Sequence, residues 1–155
     1  MKRLFLLICI MVLALGFFSL TMAEESQRTA VLSDFKGTVE VKSGQNDWIP
    51  AAMNMVLKQG DVLRTKKDAS AMLQLDGADQ TATIEVKENS QLQLAEILEN
   101  KTEQTQSTLL DLALGEILIK AKKLNSEKSK FEVKTPTSIV GVRGTTFSVA
   151  VEAVE

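Results

Sequence analysis

The residues best suited by type and spacing to do chemistry stand near the C-terminal end of the chain, in Thr135-Pro136-Thr137-Ser138 and in Gly141-Val142-Arg143-Gly144-Thr145. A guanidinium on a glycine-flanked segment, helped by the hydroxyls of Thr135 and Thr145, can offer a planar fork of donors to an anionic ligand or to a partner's carboxylate. The same residues have a structural reading. Gly141 and Gly144 permit a bend between strands, and Arg143 docks on a carboxylate or on strand-end carbonyls. Trp48, the single tryptophan, is either a core anchor or an exposed ring that stacks on sugar or protein. Gly60-Asp61 and Asp76-Gly77 read as tight turns, because glycine tolerates positive φ and aspartate accepts local backbone hydrogen bonds. A divalent-cation site built from Asp61, Asp76 and Asp79 is the sharper alternative, but the spacing is not that of a calcium loop, so no metal is expected.

Composition removes most other chemistry. The 155 residues include no His, no Tyr and one Cys. Without histidine there is no Ser-His-Asp triad, no Cys-His pair, no His-ligated zinc and no imidazole switch. One cysteine excludes an internal disulfide framework, a CxxC redox pair and a thiolate cluster. No motif sets two of the 20 acidic residues across a cleft. Ser126-Glu127-Lys128-Ser129 reads as polar loop rather than as a serine-lysine site, and no glycine-rich phosphate loop occurs. The chain is therefore expected to be no enzyme and to carry no cofactor.

The elements that must position these residues begin after an export segment. Met1-Lys2-Arg3 is a short basic head, residues 4–18 are an apolar run, and Thr21-Met22-Ala23 places small residues before Glu24. That is the pattern of a secretory signal peptide over residues 1–23, the expected helix preceding the domain. An uncleaved membrane anchor is the alternative, and it would be the only contact with a membrane. Cys9 lies in mid-run, which argues against a lipoprotein. Residues 24–155 then form one domain, large enough to bury a core. Its closest approach to a basic cluster, Lys120, Lys122, Lys123, Lys128, Lys130 and Lys134, is interrupted by Glu127 and Glu132. It reads as a solvated strand edge or loop, so nucleic acid is not an expected partner.

Apolar residues recur with period two over 38–42, 71–75, 83–87, 91–94, 131–134 and 147–151. Each is the pattern of a half-buried strand. Turn signals at 36–37, 43–47, 59–61, 66–68, 76–77 and 88–90 space them as in a sandwich or barrel. The expected fold is all-β, an antiparallel β-sandwich or jelly-roll-like domain of about ten to twelve short strands. Leu109-Leu110, Leu112, Leu114 and Ile117-Leu118-Ile119 offer apolar groups to both faces, as central strands covered on both sides do, with Gly115-Glu116 as the bend. A short helix is the alternative at 91–100 and at 109–114. Residues 99–107 carry no core side chain and read as a long exposed hairpin loop.

Several of these segments in order resemble a known family. Gly37-Thr38-Val39-Glu40-Val41, then Trp48-Ile49-Pro50-Ala51-Ala52 leading to Leu57-Lys58-Gln59-Gly60-Asp61-Val62-Leu63-Arg64-Thr65, is similar to the opening of the FecR family domain. Residues 69–77 resemble its next hairpin, 110–117 its central strand pair, and 131–149, with Thr135-Pro136 and Gly141-Val142-Arg143-Gly144-Thr145, its closing segment. The resemblance spans 31–151. It implies a bacterial envelope domain of β structure, periplasmic or secreted, of the kind that relays transporter occupancy to a cytoplasmic sigma factor. Only Met1-Lys2-Arg3 precede the apolar run and the chain ends at Glu155, so a stand-alone exported domain without direct sigma-factor control is expected. The expected role is binding another envelope protein, through an exposed strand edge or the loops around Arg143. A carbohydrate or cell-wall module using Trp48, Phe35 or Phe131 is the runner-up. A structural component or homo-oligomer is a third reading.

Overall fold

The computed structural model describes residues 25–76, 81–123, 127–142, 144 and 146–152. Residues 1–23, where the export segment is expected, and Gly77, Asp79, Arg143 and Thr145 lie outside the described residues. The described chain is all strand and turn. In order it forms β1 (Glu25–Gln27), β2 (Ala30–Lys36), β3 (Val39–Lys42), β4 (Ile49–Pro50), β5 (Val56–Leu57), β6 (Val62–Thr65) and β7 (Ser70–Leu75). There follow β8 (Ala82–Val86), β9 (Gln91–Asn100), β10 (Thr105–Ala121), β11 (Lys130–Lys134), β12 (Ile139–Gly141) and β13 (Thr146–Val151). The period-two segments are all strands, so the all-β expectation agrees with the structure.

The strands make two leaves joined through one long strand. The first leaf runs β4-β3-β6-β9-β10-β11-β12, with β1 beside the far end of β9. The second runs β5-β2-β7-β8-β10-β13. β10 belongs to both: residues 105–114 pair with β9, and residues 115–121 pair with β8 and β13. All pairings among the described residues are antiparallel except β10 with β11, which is parallel.

β10 corrects the two-strand reading of 109–119. It is a single strand of 17 residues. Thr108, Leu110 and Leu112 face the core in its first half, and Ile117 and Ile119 in its second, so the buried parity switches from even to odd around Gly115. Gly115 has φ +90, and the pairing with β9 slips between Leu112 and Leu114. A side-chain period of two allows one face to the core at a time, and the bulge changes which residues occupy it. Leu109 and Leu118 are half-buried and Leu114 is exposed, so this segment is not covered on both sides.

One other expectation is corrected, and one agrees with the structure. Residues 91–100 are strand throughout, as the alternation at 91–94 predicts and not the alternative helix, with Leu92, Leu94 and Ile97 reaching the core from an extended backbone with a bulge. The stretch 99–107 is mostly strand. β9 and β10 pair up to Asn100 and Thr105, and the turn is only residues 101–104, closed by the Glu103 N–H donating to Asn100 Oδ1 at 2.9 Å. Backbone pairing along a hairpin needs no apolar side chains, so the polarity that suggested a long loop does not exclude a paired ladder.

Between the leaves lies one core, including the fully buried Leu32, Leu57, Leu73, Leu75, Ile84, Leu92, Leu94, Leu110, Leu112 and Ile117. Each such side chain contributes roughly 1.5–3 kcal/mol on removal from water. One flank of the sandwich is closed by the chain itself. The connector between β4 and β5 donates Ala51 N–H to Val39 O in the first leaf and Asn54 N–H to Leu32 O in the second, both at 2.9 Å. The opposite flank ends in β12 and β13, each paired on one side only among the described residues.

Candidate functional site

The closing segment is built on β11. Thr135 is buried and its hydroxyl accepts the Ser138 N–H at 3.0 Å, while Thr135 N–H donates to Ser138 O at 2.8 Å. The Thr135 hydroxyl thus closes the Thr-Pro-Thr-Ser turn that reverses the chain into β12, and it is not presented to a ligand. Val142 N–H donates to Phe131 O at 2.8 Å, and Val140 pairs with Val133. In an antiparallel ladder, bonded pairs alternate with unbonded ones. With 135/138 and 131/142 bonded, 133/140 is bonded too, and the N–H and C=O groups of Ile139 and Gly141 point away from β11. Ile139 is 63% exposed and Val140 39% exposed. β12 is therefore an edge with outward backbone donors and acceptors and uncovered apolar side chains.

The two glycines of this segment differ. Gly144 has φ +68, and a Cβ there would lie 2.5 Å from Lys123 Cα, so a bend and a close approach both require it. Gly141 has no positive φ and open space around it, so it is a strand residue rather than the expected bend.

Trp48 is neither a core anchor nor a free platform. It lies half-buried outside the core cluster, with the Arg64 guanidinium 3.8 Å from its ring centroid. Arg64 Nε donates to Glu40 Oε2 at 2.6 Å across the β3-β6 pair, and Lys66 Nζ is 3.5 Å from the same oxygen. The hydrogen bond from Arg64 chiefly holds the Glu40 carboxyl below the usual carboxylate range, with the charges of Arg64 and Lys66 adding to it. Of the other aromatics considered for sugar stacking, Phe131 is buried and Phe35 packs against the core.

Asp61 and Asp76 have separate structural roles. Asp61 Oδ2 accepts the Lys58 N–H at 2.8 Å and closes the turn in which Gly60 has φ +91. Asp76 has φ 63 and takes a bidentate grip from Arg28, whose Nε donates to Oδ1 at 2.7 Å and whose Nη2 donates to Oδ2. Arg28 also donates to Thr108 Oγ1 at 2.9 Å and to Thr81 Oγ1 at 2.7 Å. This buried network lies under a polar cavity of about 400 Å³ beside Ser26, Gln106 and Lys101. It is absent from the sequence reading, because an isolated arginine between Gln27 and Thr29 carries no local signal of its distant partner. Among the described residues no group of three metal-ligating side chains comes together.

A second, open groove of about 820 Å³ lies where β10 passes between leaves, bordered by Leu114, Glu116, Glu85, Lys87 and Val151. Its Glu85 and Lys87 pair with each other.

Neither a curated protein nor a solved structure matches the chain. The family model described as FecR protein matches residues 61–154. That range starts past Gly37 and Trp48, opens on the turn closed by Asp61, and takes in the β10 crossover, the Thr135 turn and both edge strands. With more than half its length so matched, the chain belongs to the FecR family.

Proposed function

We propose that this chain is a non-catalytic sensing domain of the cell envelope, periplasmic or secreted, which binds another envelope protein by accepting a strand of that partner along β12. Residues 24–155 act as the domain and residues 1–23 as the export segment. Membership of the FecR family supports the sensing role and the envelope location. The observation that carries the binding mode is the edge at Ile139–Gly141, where outward backbone groups adjoin an Ile 63% exposed and a Val 39% exposed. Main-chain hydrogen bonds of an added strand supply affinity there, and the two apolar side chains supply selectivity. Arg143 and Thr145, next along the chain, are the proposed polar contacts to a partner carboxylate. The carbohydrate reading has less support, since one face of Trp48 is taken by Arg64.

The test is affinity capture from solubilised bacterial envelope with the intact chain, Gly141→Pro and Arg143→Ala as baits. Proline at 141 removes an outward N–H and leaves the bonds to β11 in place. Recovery of a discrete protein by the intact chain, lost with Gly141→Pro, is expected. Equal recovery by Gly141→Pro, or retention on cell-wall glycan instead, contradicts the reading.

A further inference from the structure

Proteins guard free sheet edges against self-pairing with short strands, charges or proline. Most edges here are guarded. β4 has two residues and contains Pro50, β5 has two residues, and β1 has three and carries Glu25. β12, the edge proposed for the partner, is only three residues long. β13 is different. Its six residues, Thr146-Phe147-Ser148-Val149-Ala150-Val151, hold no charge, no proline and no glycine. It pairs only with β10 among the described residues, and none of its residues is fully buried. The side chains it turns inward, Phe147, Val149 and Val151, stay half-exposed at the open flank of the sandwich.

From these features we infer that β13 pairs antiparallel with β13 of a second copy across a two-fold axis normal to the sheet, extending the second leaf through both molecules. Such an axis keeps the inward face of each strand inward, so Phe147, Val149 and Val151 of both copies form one apolar row. Opposed residues must share a face, which limits the register to centres at Ser148 or Val149. The charges at the strand ends select a second copy over an arbitrary strand. The Val151 end runs into Glu152, and the Thr146 end lies beside Lys120 and Lys123, while Glu116 on β10 accepts the Ser148 hydroxyl at 2.8 Å in mid-strand. An antiparallel two-fold sets each copy's acidic end against the other's basic end. A parallel arrangement would set like against like. This contact uses the second leaf and is independent of the partner edge at β12.

The test is the protein mass of the full chain in detergent by light scattering, for the native sequence and for Ser148→Lys. Ser148 is exposed and its hydroxyl donates to Glu116 Oε1 at 2.8 Å on the outer face, so lysine there changes that face of the edge and not the core. A mass of two chains for the native protein, falling to one with Ser148→Lys, is expected. A mass of one chain at the highest concentration reached overturns the inference. So does a dimer that survives Ser148→Lys and gives no inter-chain disulfide with Ser148→Cys and Ala150→Cys in a Cys9→Ser background, since it is then held by the N-terminal segment or another face. Should Ser148→Lys fail to fold, oxidation of Ser148→Cys with Ala150→Cys in a Cys9→Ser background decides: an inter-chain disulfide supports the pairing in either register, and its absence refutes it.

Discussion

Ser90 occupies the space that a side chain on residue 115 would need: a Cβ on Gly115 would lie 2.5 Å from Ser90 Cα. The contact fixes the crossover of β10 from one leaf to the other. The Ser90 hydroxyl accepts the Glu116 N–H at 3.0 Å, and Lys87 N–H donates to Glu116 O at 2.9 Å, so the backbone groups freed by the bulge are satisfied. Gly115→Ala, which meets both a positive φ and backbone atoms that cannot move aside, should cost about 3 kcal/mol or more. Urea unfolding checks this, and a loss below about 1 kcal/mol would show that the crossover relaxes easily.

Arg28 and Asp76 form the most buried ion pair among the described residues, with side chains 5% and 14% exposed. Arg28→Ala removes the bidentate partner of a largely buried carboxylate, which keeps the Thr81 hydroxyl and the cavity beside it, and should destabilise by about 3 kcal/mol. Arg28→Lys should fall between, since an ammonium cannot reproduce the bidentate grip and the bond to Thr108 together. A double-mutant cycle of Arg28→Ala and Asp76→Ala, read by chemical denaturation, should give a strong coupling.

Arg64 and Trp48 predict a spectroscopic signature. The chain has one tryptophan, so its emission reports this ring alone. Arg64→Ala should uncover the ring face, shift emission to longer wavelength and cost about 0.5–1 kcal/mol of cation–π stabilisation. An unchanged spectrum would show that the guanidinium does not rest on the ring in solution.

Glu40 gives a pH dependence. Its carboxyl is held low by the hydrogen bond from Arg64, so the folded state binds the proton more weakly than the unfolded chain does. The contribution is fully present above the unfolded value of about 4.3 and is lost as pH falls through the lower folded value. Melting temperature measured across this acid range should fall less steeply for Glu40→Gln than for the native chain. Identical slopes would remove Glu40 from the acid response.

Much of the fold was legible because a half-buried strand writes itself as alternation, as Val39/Val41, Leu73/Leu75 and Ile84/Val86 do. Turns at Gly60-Asp61 and Asp76 were legible from residues that tolerate positive φ. What alternation could not convey was the crossover. Residues 109–119 looked doubly covered because the bulge at Gly115 exchanges parity, and the parallel pairing of β11 has no signature in so short a strand. Polar ladders were equally silent, as the extension of β9 and β10 to Asn100 and Thr105 demonstrates. The closing segment drew attention for its arginine and hydroxyls. Its described part has a different feature, an uncovered strand edge, while the Thr135 hydroxyl is spent on its own turn. Arg28 illustrates the remaining gap, since its partners lie 48, 53 and 80 residues away along the chain.

The proposal that β12 accepts a partner strand is tested most directly by photocrosslinking in living bacteria, with a photoreactive side chain at Ile139 and, as control, at Lys101 in the β9-β10 turn. A single discrete crosslinked protein from position 139, absent from position 101 and lost when Gly141→Pro is added, is the predicted result. Crosslinks of equal yield and pattern from both positions, or a crosslink at 139 that survives Gly141→Pro, would contradict strand addition at this edge.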